Sequence, residues 1–179
     1  TEAFYNDYSD KQLSGIQLLP SGDLQEVTSN VGEVTSSGVE FEVSWLAPID
    51  GLMFNFNVGY LDTEVDKFDA LDKAGNKIDL SDTTELGYAP KWTGQARASY
   101  EMALGSNGYL TLASDLSYTD EMYTSSPIDT LDPLQTAQQA DDIWIWNAMA
   151  AYQTNDGRWR VAVEGKNLND ERALVNTFD

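Results

Sequence analysis

Apolar and polar residues alternate one for one along most of this chain, a period of two that only a β-strand can place on one side. The pattern is clearest over 92–104. Trp92, Gly94, Ala96, Ala98, Tyr100, Met102 and Leu104 share one parity, against Thr93, Gln95, Arg97, Ser99, Glu101 and Ala103. Residues 39–46 set Val39, Phe41, Val43 and Trp45 against Glu40, Glu42 and Ser44. Residues 52–60 set Leu52, Phe54, Phe56, Val58 and Tyr60 against Asn55 and Asn57. In 158–166, Trp159, Val161 and Val163 oppose Arg158, Arg160, Glu164 and Lys166. Residues 109–118 and 143–153 follow with more noise, and 3–18 is the weakest. The alternation predicts seven strands, no helix and an all-β fold.

The links between these strands constrain the fold further. Pro48-Ile49-Asp50-Gly51, Gly105-Ser106-Asn107-Gly108 and Asn155-Asp156-Gly157 carry the chemistry of tight hairpin turns. The other three, near 19–33, 62–91 and 119–142, are long, polar and acidic. In chain order they run long, short, long, short, long, short. Three of each kind alternate strictly in roughly one ordering of ten, and such alternation is the rule for outer-membrane barrels, with short turns on one side and long loops on the other. A soluble sandwich has no reason to keep its long links on one side.

Aromatic residues cluster at the ends of the apolar parity. Trp45, Tyr152 and Trp159 lie beside short turns, while Tyr60, Trp92, Tyr118 and Trp144 or Trp146 lie where strands meet long links. Trp92 and Tyr100 are eight residues apart on one parity. At ~3.3 Å per residue and ~40–45° of tilt they span about 20 Å, close to the apolar band between two aromatic girdles. The membrane-interface set is therefore Trp45, Tyr60, Trp92, Tyr100, Tyr118, Trp146, Tyr152 and Trp159. The opposite parity carries Glu40, Glu42, Arg97, Glu101, Asp115, Glu164 and Lys166. In a soluble barrel or sandwich these would face water and the apolar parity would fill the core. In a large membrane barrel they would line the lumen and the apolar parity would meet lipid. The small residues Gly94, Ala96 and Ala98 favour the second arrangement.

Composition removes several classes of function. With 30 acidic and 10 basic residues the net charge is −20, which argues against nucleic-acid binding and against a polybasic membrane anchor. Aromatics reach 11 %, too many for a disordered acidic chain. There is no cysteine and no histidine, which removes disulfides, thiolate chemistry, most zinc sites and the common nucleophile–base pairs. Mean hydropathy is −0.41, and the longest apolar run, Ala148 to Tyr152, is far short of a spanning helix. No signal peptide is recognisable, because Thr1-Glu2-Ala3-Phe4 already reads as strand, so an exported protein would have its beginning elsewhere.

No catalytic set is expected. Glu40 and Glu42 share a strand face without the defined separation of a glycosidase pair. Link 62–91 concentrates Asp62, Glu64, Asp66, Asp69, Asp72, Asp79, Asp82 and Glu85. Its Asp72-Lys73-Ala74-Gly75-Asn76 stretch lacks the alternating ligands and closing Glu of a calcium loop, so a solvated outward loop and no metal site is the expectation. Link 119–142 carries Tyr123, Pro127, Pro133 and the polar run Gln135 to Gln139. Loops of such length commonly bind. The candidate ligand-facing residues are Asp66, Asp69, Asp72, Tyr123 and Gln138.

Four stretches together resemble a known family. Thr35-Ser36-Ser37-Gly38-Val39-Glu40-Phe41-Glu42-Val43 is similar to the G-x-E-x-E strand of TonB-dependent receptors, and Gly51 to Asp62 (GLMFNFNVGYLD) to the strand after it. Ala89-Pro90-Lys91-Trp92 resembles the approach to the strand beyond the following loop. Arg158 to Arg172 (RWRVAVEGKNLNDER) resembles the penultimate strand, with its N-L-x-D sequence. Each match is short; their order and spacing across the chain make the resemblance specific.

The resemblance implies a 22-stranded transmembrane β-barrel with an N-terminal plug in its lumen. Residues 1–179 would be one partial outer-membrane barrel domain, without the plug, the early strands and the final strand. It further implies a receptor in the outer membrane of a Gram-negative bacterium, and no enzyme. Such a receptor binds a scarce nutrient (ferric siderophore, haem, cobalamin or glycan) and imports it on proton-motive force. Its partners would be the nutrient, outer-membrane lipid and the inner-membrane TonB complex, reached through the plug; no cofactor is implied. A passive porin and a secreted β-sandwich for binding or adhesion are the alternatives. The fragment reading predicts an open sheet with strands 3–18 and 158–168 at its edges and no ladder between them.

Overall fold

The computed structural model describes residues 1–18, 24–71, 77–126 and 139–172, except the side chains of 13–18, 24–31, 70, 71 and 77. Its strands are β1 (Glu2–Leu18), β2 (Leu24–Leu46), β3 (Leu52–Lys67), β4 (Asp69–Leu71) and β5 (Lys77–Asp79). They continue as β6 (Trp92–Ala103), β7 (Tyr109–Thr119), β8 (Met122–Tyr123), β9 (Gln139–Ala140), β10 (Ile143–Gln153) and β11 (Arg160–Gly165). Two single 3-10 turns, Ser81–Thr83 and Gly105–Asn107, are the only helical elements among the described residues.

Seven strands form one antiparallel sheet in the order β1-β2-β3-β6-β7-β10-β11. Every neighbour in the sheet is the next long strand in the chain, which is the up-and-down arrangement. β1 and β11 are its edges, and no ladder joins them among the described residues. The pairs β4–β5 and β8–β9 form two small separate hairpins within the second and third long links.

Directly paired residues share a face, so the register reads out both sides of the sheet. One rung runs Trp45–Phe54–Ala98–Ser114–Ala148, and the next runs Val43–Phe56–Ala96–Leu116–Trp146. The interleaved rungs of the other face run Ser44–Asn55–Arg97–Asp115–Asn147 and Glu42–Asn57–Gln95–Ser117. The apolar face is uncovered: Trp45 is 54 % exposed and Val163 72 %. Buried apolar side chains among the described residues are Val34, Val65, Phe68, Ala113, Ala140 and Ala151. A water-soluble sandwich would cover its apolar face with a second sheet, and no second layer lies over it among the described residues. A contiguous apolar surface of this extent belongs against lipid.

The three tight turns form as expected. Gly51 (φ +82°), Gly108 (φ +122°) and Gly157 (φ +68°) supply the left-handed backbone that closes them. Their carbonyls and amides pair locally, through Ala47 N–H to Leu52 O at 3.0 Å, Leu104 N–H to Gly108 O at 2.8 Å and Thr154 N–H to Trp159 O at 3.0 Å.

The first long link departs from expectation. Residues 24–33, expected in a polar loop, are strand: β2 begins at Leu24 and pairs with β1 out to Leu18↔Leu24. Only 19–23 lie between the strands, outside the described residues. The physical reason is that a hairpin rising past an apolar band meets water on both faces. Backbone pairing continues there while the apolar–polar alternation that signals it stops. β3 overshoots in the same way to Lys67.

Beyond β11 the Asn167-Leu168-Asn169-Asp170 sequence completes the ladder with side chains. The Asn169 amide accepts the Trp146 N–H at 3.0 Å and donates to the Trp144 carbonyl at 2.7 Å, as a paired residue's backbone would. Leu168 N–H reaches Trp146 O at 2.8 Å. Asn167 (φ +51°) and Asp170 (φ +54°) turn the chain in the left-handed region that Asn and Asp tolerate.

Candidate functional site

Three surfaces could carry function: the two faces of the sheet and its long-link end. On the apolar face the aromatic residues pair across strands. Tyr60 and Trp92 have ring centroids 4.8 Å apart, and Tyr118 and Trp144 4.5 Å. Both pairs lie at the long-link end. Trp146 sits one rung further from that end and donates its indole N–H to Ser114 Oγ at 2.8 Å, so Trp144 rather than Trp146 completes the upper pair. That bond satisfies the one hydroxyl on its rung where water is scarce. Toward the short turns Trp45 stacks on Phe54 at 5.5 Å, Tyr100 pairs with Leu52 and Leu112, and the Tyr152 hydroxyl donates to the Asn107 carbonyl. Trp159 is 72 % exposed at the third turn.

The polar face carries a bonded network across β6, β7, β10 and the segment after β11. Arg97 and Asp115 form a salt bridge at 3.5 Å, Asn147 donates to Asp115 at 2.8 Å, and Asn167 N–H reaches Asn147 Oδ1 at 2.9 Å. Ser44 donates to Asn55 Oδ1 at 2.8 Å on the same rung. Toward β1, Glu2, Glu40 and Glu42 line a shallow concavity with Asn57 and Thr93. No salt bridge among the described residues involves these three carboxylates, so this end of the face is strongly negative.

The described residues at the long-link end have a core of their own. Where β2 and β3 overshoot, Val34 pairs directly with Val65 on the polar-parity face, just past a register shift between Glu33 and Val34. Val34, Val65 and Phe68 form a small buried core, with Leu80 and Leu86 packed against it. Asp79 holds the following turn: its Oδ1 accepts Ser81 N–H at 3.0 Å and Phe68 N–H at 3.3 Å. The Ser81 bonds, the Phe68 amide and nearby Lys67 hold its carboxyl below the usual aspartate value, against a small desolvation cost.

Link 62–91 is expected to be a solvated acidic loop, and its candidate ligand-facing carboxylates Asp66 and Asp69 are exposed, each within reach of one neighbouring side chain. Asp66 accepts Thr35 Oγ1–H at 2.5 Å, and Asp69 lies 3.6 Å from Lys67 Nζ. Tyr123 sits in β8, and its carbonyl accepts Tyr88 N–H at 2.8 Å. Asp72 and Gln138 lie outside the described residues. No group of three potential metal ligands occurs among the described residues. Sequence reasoning missed Gly87, Tyr88 and Ser126, which with the Tyr123 carbonyl join the two long links; their bonds span more than thirty residues and leave no local pattern.

Residues 1–168 match the family described as TonB dependent receptor-like, beta-barrel. Solved structures show the same fold. The siderophore receptor PiuA from Acinetobacter baumannii aligns with TM-score 0.62 and 19 % identity, over 97 % of this chain and 22 % of that one. BauA, the ferric preacinetobactin receptor from the same species, gives 0.59 and 19 %, over 96 % and 23 %. FyuA, the ferric yersiniabactin uptake receptor from Yersinia pestis, gives 0.63 and 13 %, over 99 % and 30 %. The chain thus spans under a third of the length of these receptors. No curated protein matches the sequence.

Proposed function

The chain belongs to the TonB-dependent receptor family of Gram-negative outer-membrane β-barrels, receptors rather than enzymes, and from that membership we propose that it forms part of the wall of a barrel that captures a scarce nutrient outside the cell and imports it actively. The carrying observation is the two-faced sheet, with an uncovered apolar side for lipid and a hydrogen-bonded polar side for the lumen. In this reading the short turns face the periplasm and the long links face outward. The remainder of the barrel holds a plug, and the inner-membrane TonB complex acts on that plug using proton-motive force.

A ferric siderophore is the first substrate class to test, because the similar solved barrels are named as siderophore or ferric-siderophore receptors. Haem, cobalamin and glycans follow. The experiment deletes the complete gene and measures uptake of radioiron carried by the cell's own siderophores under iron limitation. The expected result is lost uptake, restored by the intact gene and abolished by a protonophore. Protonophore-insensitive transport would instead make the barrel a passive pore.

A further inference from the structure

We infer that two segments from different long links, 84–88 and 122–126, are latched into one body at the long-link end, so that neither moves without the other. Two hydrogen bonds cross the seam: Tyr88 N–H to Tyr123 O at 2.8 Å and Gly87 N–H to Ser126 Oγ at 3.0 Å. Thr84 and Thr124 are 5 % and 2 % exposed, a burial that surface loops seldom give to threonine. Thr84 Oγ1 is satisfied by Leu80 O at 2.8 Å, which ties the seam to the turn over the Val34–Val65–Phe68 core.

Gly87 shows how closely the segments approach. Its φ is not left-handed, so no turn demands a glycine there. Space does: a Cβ at this position would lie 2.5 Å from the Ser125 carbonyl carbon and 2.8 Å from Ser126 N. These are backbone atoms, which can yield only if the segments part. The next residue, Tyr88, has φ +57° and is 55 % exposed. Left-handed backbone at a bulky aromatic persists only where its surroundings over-determine it, and here the seam supplies that constraint. The base of each segment is also fixed, through Leu61 N–H to Lys91 O and Asp120 N–H to Trp92 O, both at 2.9 Å.

The latch is a conformational device: a force or ligand that lifts one segment carries the other, with Tyr88 exposed at the joint. It goes beyond the uptake reading and stands apart from it, since its test uses no ligand. Amide hydrogen exchange would be measured on the complete receptor in detergent. Gly87→Val should accelerate exchange at least tenfold in 84–88 and in 122–126 together. Gly94→Ala, whose added methyl meets its nearest atom at an ordinary 3.5 Å, should change neither. Ser126→Ala, which removes an acceptor without adding bulk, should accelerate both segments to a smaller extent, and decides alone if Gly87→Val does not fold. Acceleration confined to 84–88, or no change in either segment with Ser126→Ala, would overturn the latch.

Discussion

At the residue scale, the side of the sheet a position faces should decide what it tolerates. Val43 and Ala98 lie on the apolar face, Glu42 and Ser99 on the polar one. Arginine at Val43 or Ala98 places a charge against hydrocarbon and should cost ~2–4 kcal/mol near the midplane. Glu42→Arg and Ser99→Arg should cost well under half of that. Folding titrations of the complete barrel into lipid vesicles measure both, and equal penalties on the two faces would defeat the membrane assignment. Asp79 makes a separate prediction. Its folded pKa is depressed, so its contribution is present above the ordinary aspartate value and is lost as pH falls through the folded one. Acidification below about pH 4 should therefore loosen 78–86 before the strands, as faster proteolysis or exchange there. Asp79→Asn should show the loosened state at neutral pH; unchanged behaviour in that variant would remove the carboxylate from the account.

At the scale of elements, what the sequence reveals depends on what surrounds each strand. Where one face meets lipid and the other water, as in Trp92–Ala103, the alternation is strict and both extent and facing are legible. Past the aromatic pairs, water lies on both sides, and residues 24–33 of β2 carry no such record. Tight turns announce themselves through glycines that need positive φ. The core of Val34, Val65 and Phe68 does not, because three apolar residues scattered over two overshooting strands and a link form no periodic pattern. The N-L-x-D sequence was legible as a family mark but not as a mechanism, since the pairing of Asn169 with Trp144 and Trp146 appears only in three dimensions. Asn169→Ala should free both backbone groups, costing on the order of 1 kcal/mol. The Trp146 amide should then exchange faster while β6 and β7 are unaffected. Loss of protection across the whole sheet, or none at all, would contradict a local role.

At the scale of the molecule, the sheet runs from an edge strand β1 to an edge strand β11, and both edges expose pairing groups that hydrocarbon cannot satisfy. In the family this geometry is resolved by further strands that close the barrel. The long-link end was less legible than the wall: the charge of Asp66 and Asp69 is visible in sequence, their exposed contacts with Thr35 and Lys67 are not, and the joint at Gly87 and Tyr88 depends on close approach between links.

The unbalanced acidity of the long-link end has a consequence for speed rather than for structure. Asp62, Glu64, Asp82, Glu85, Asp120, Glu121, Asp141 and Asp142 crowd the links of a chain whose net charge is −20. Such a field slows the diffusional approach of an anion and hastens that of a cation, and it fades beyond a Debye length of about 10 Å at 0.1 M salt. Stopped-flow capture of an anionic ferric complex should therefore quicken as salt is raised, by up to about tenfold. A cationic complex should slow, and Glu85→Gln with Glu121→Gln should flatten either trend. A capture rate indifferent to salt for both charges would show that the rim's field does not reach the approaching ligand. On the uptake reading proposed above, the sign of that slope would report the charge of the cargo before its chemistry is known, because acidic links of this kind oppose the approach of any anion.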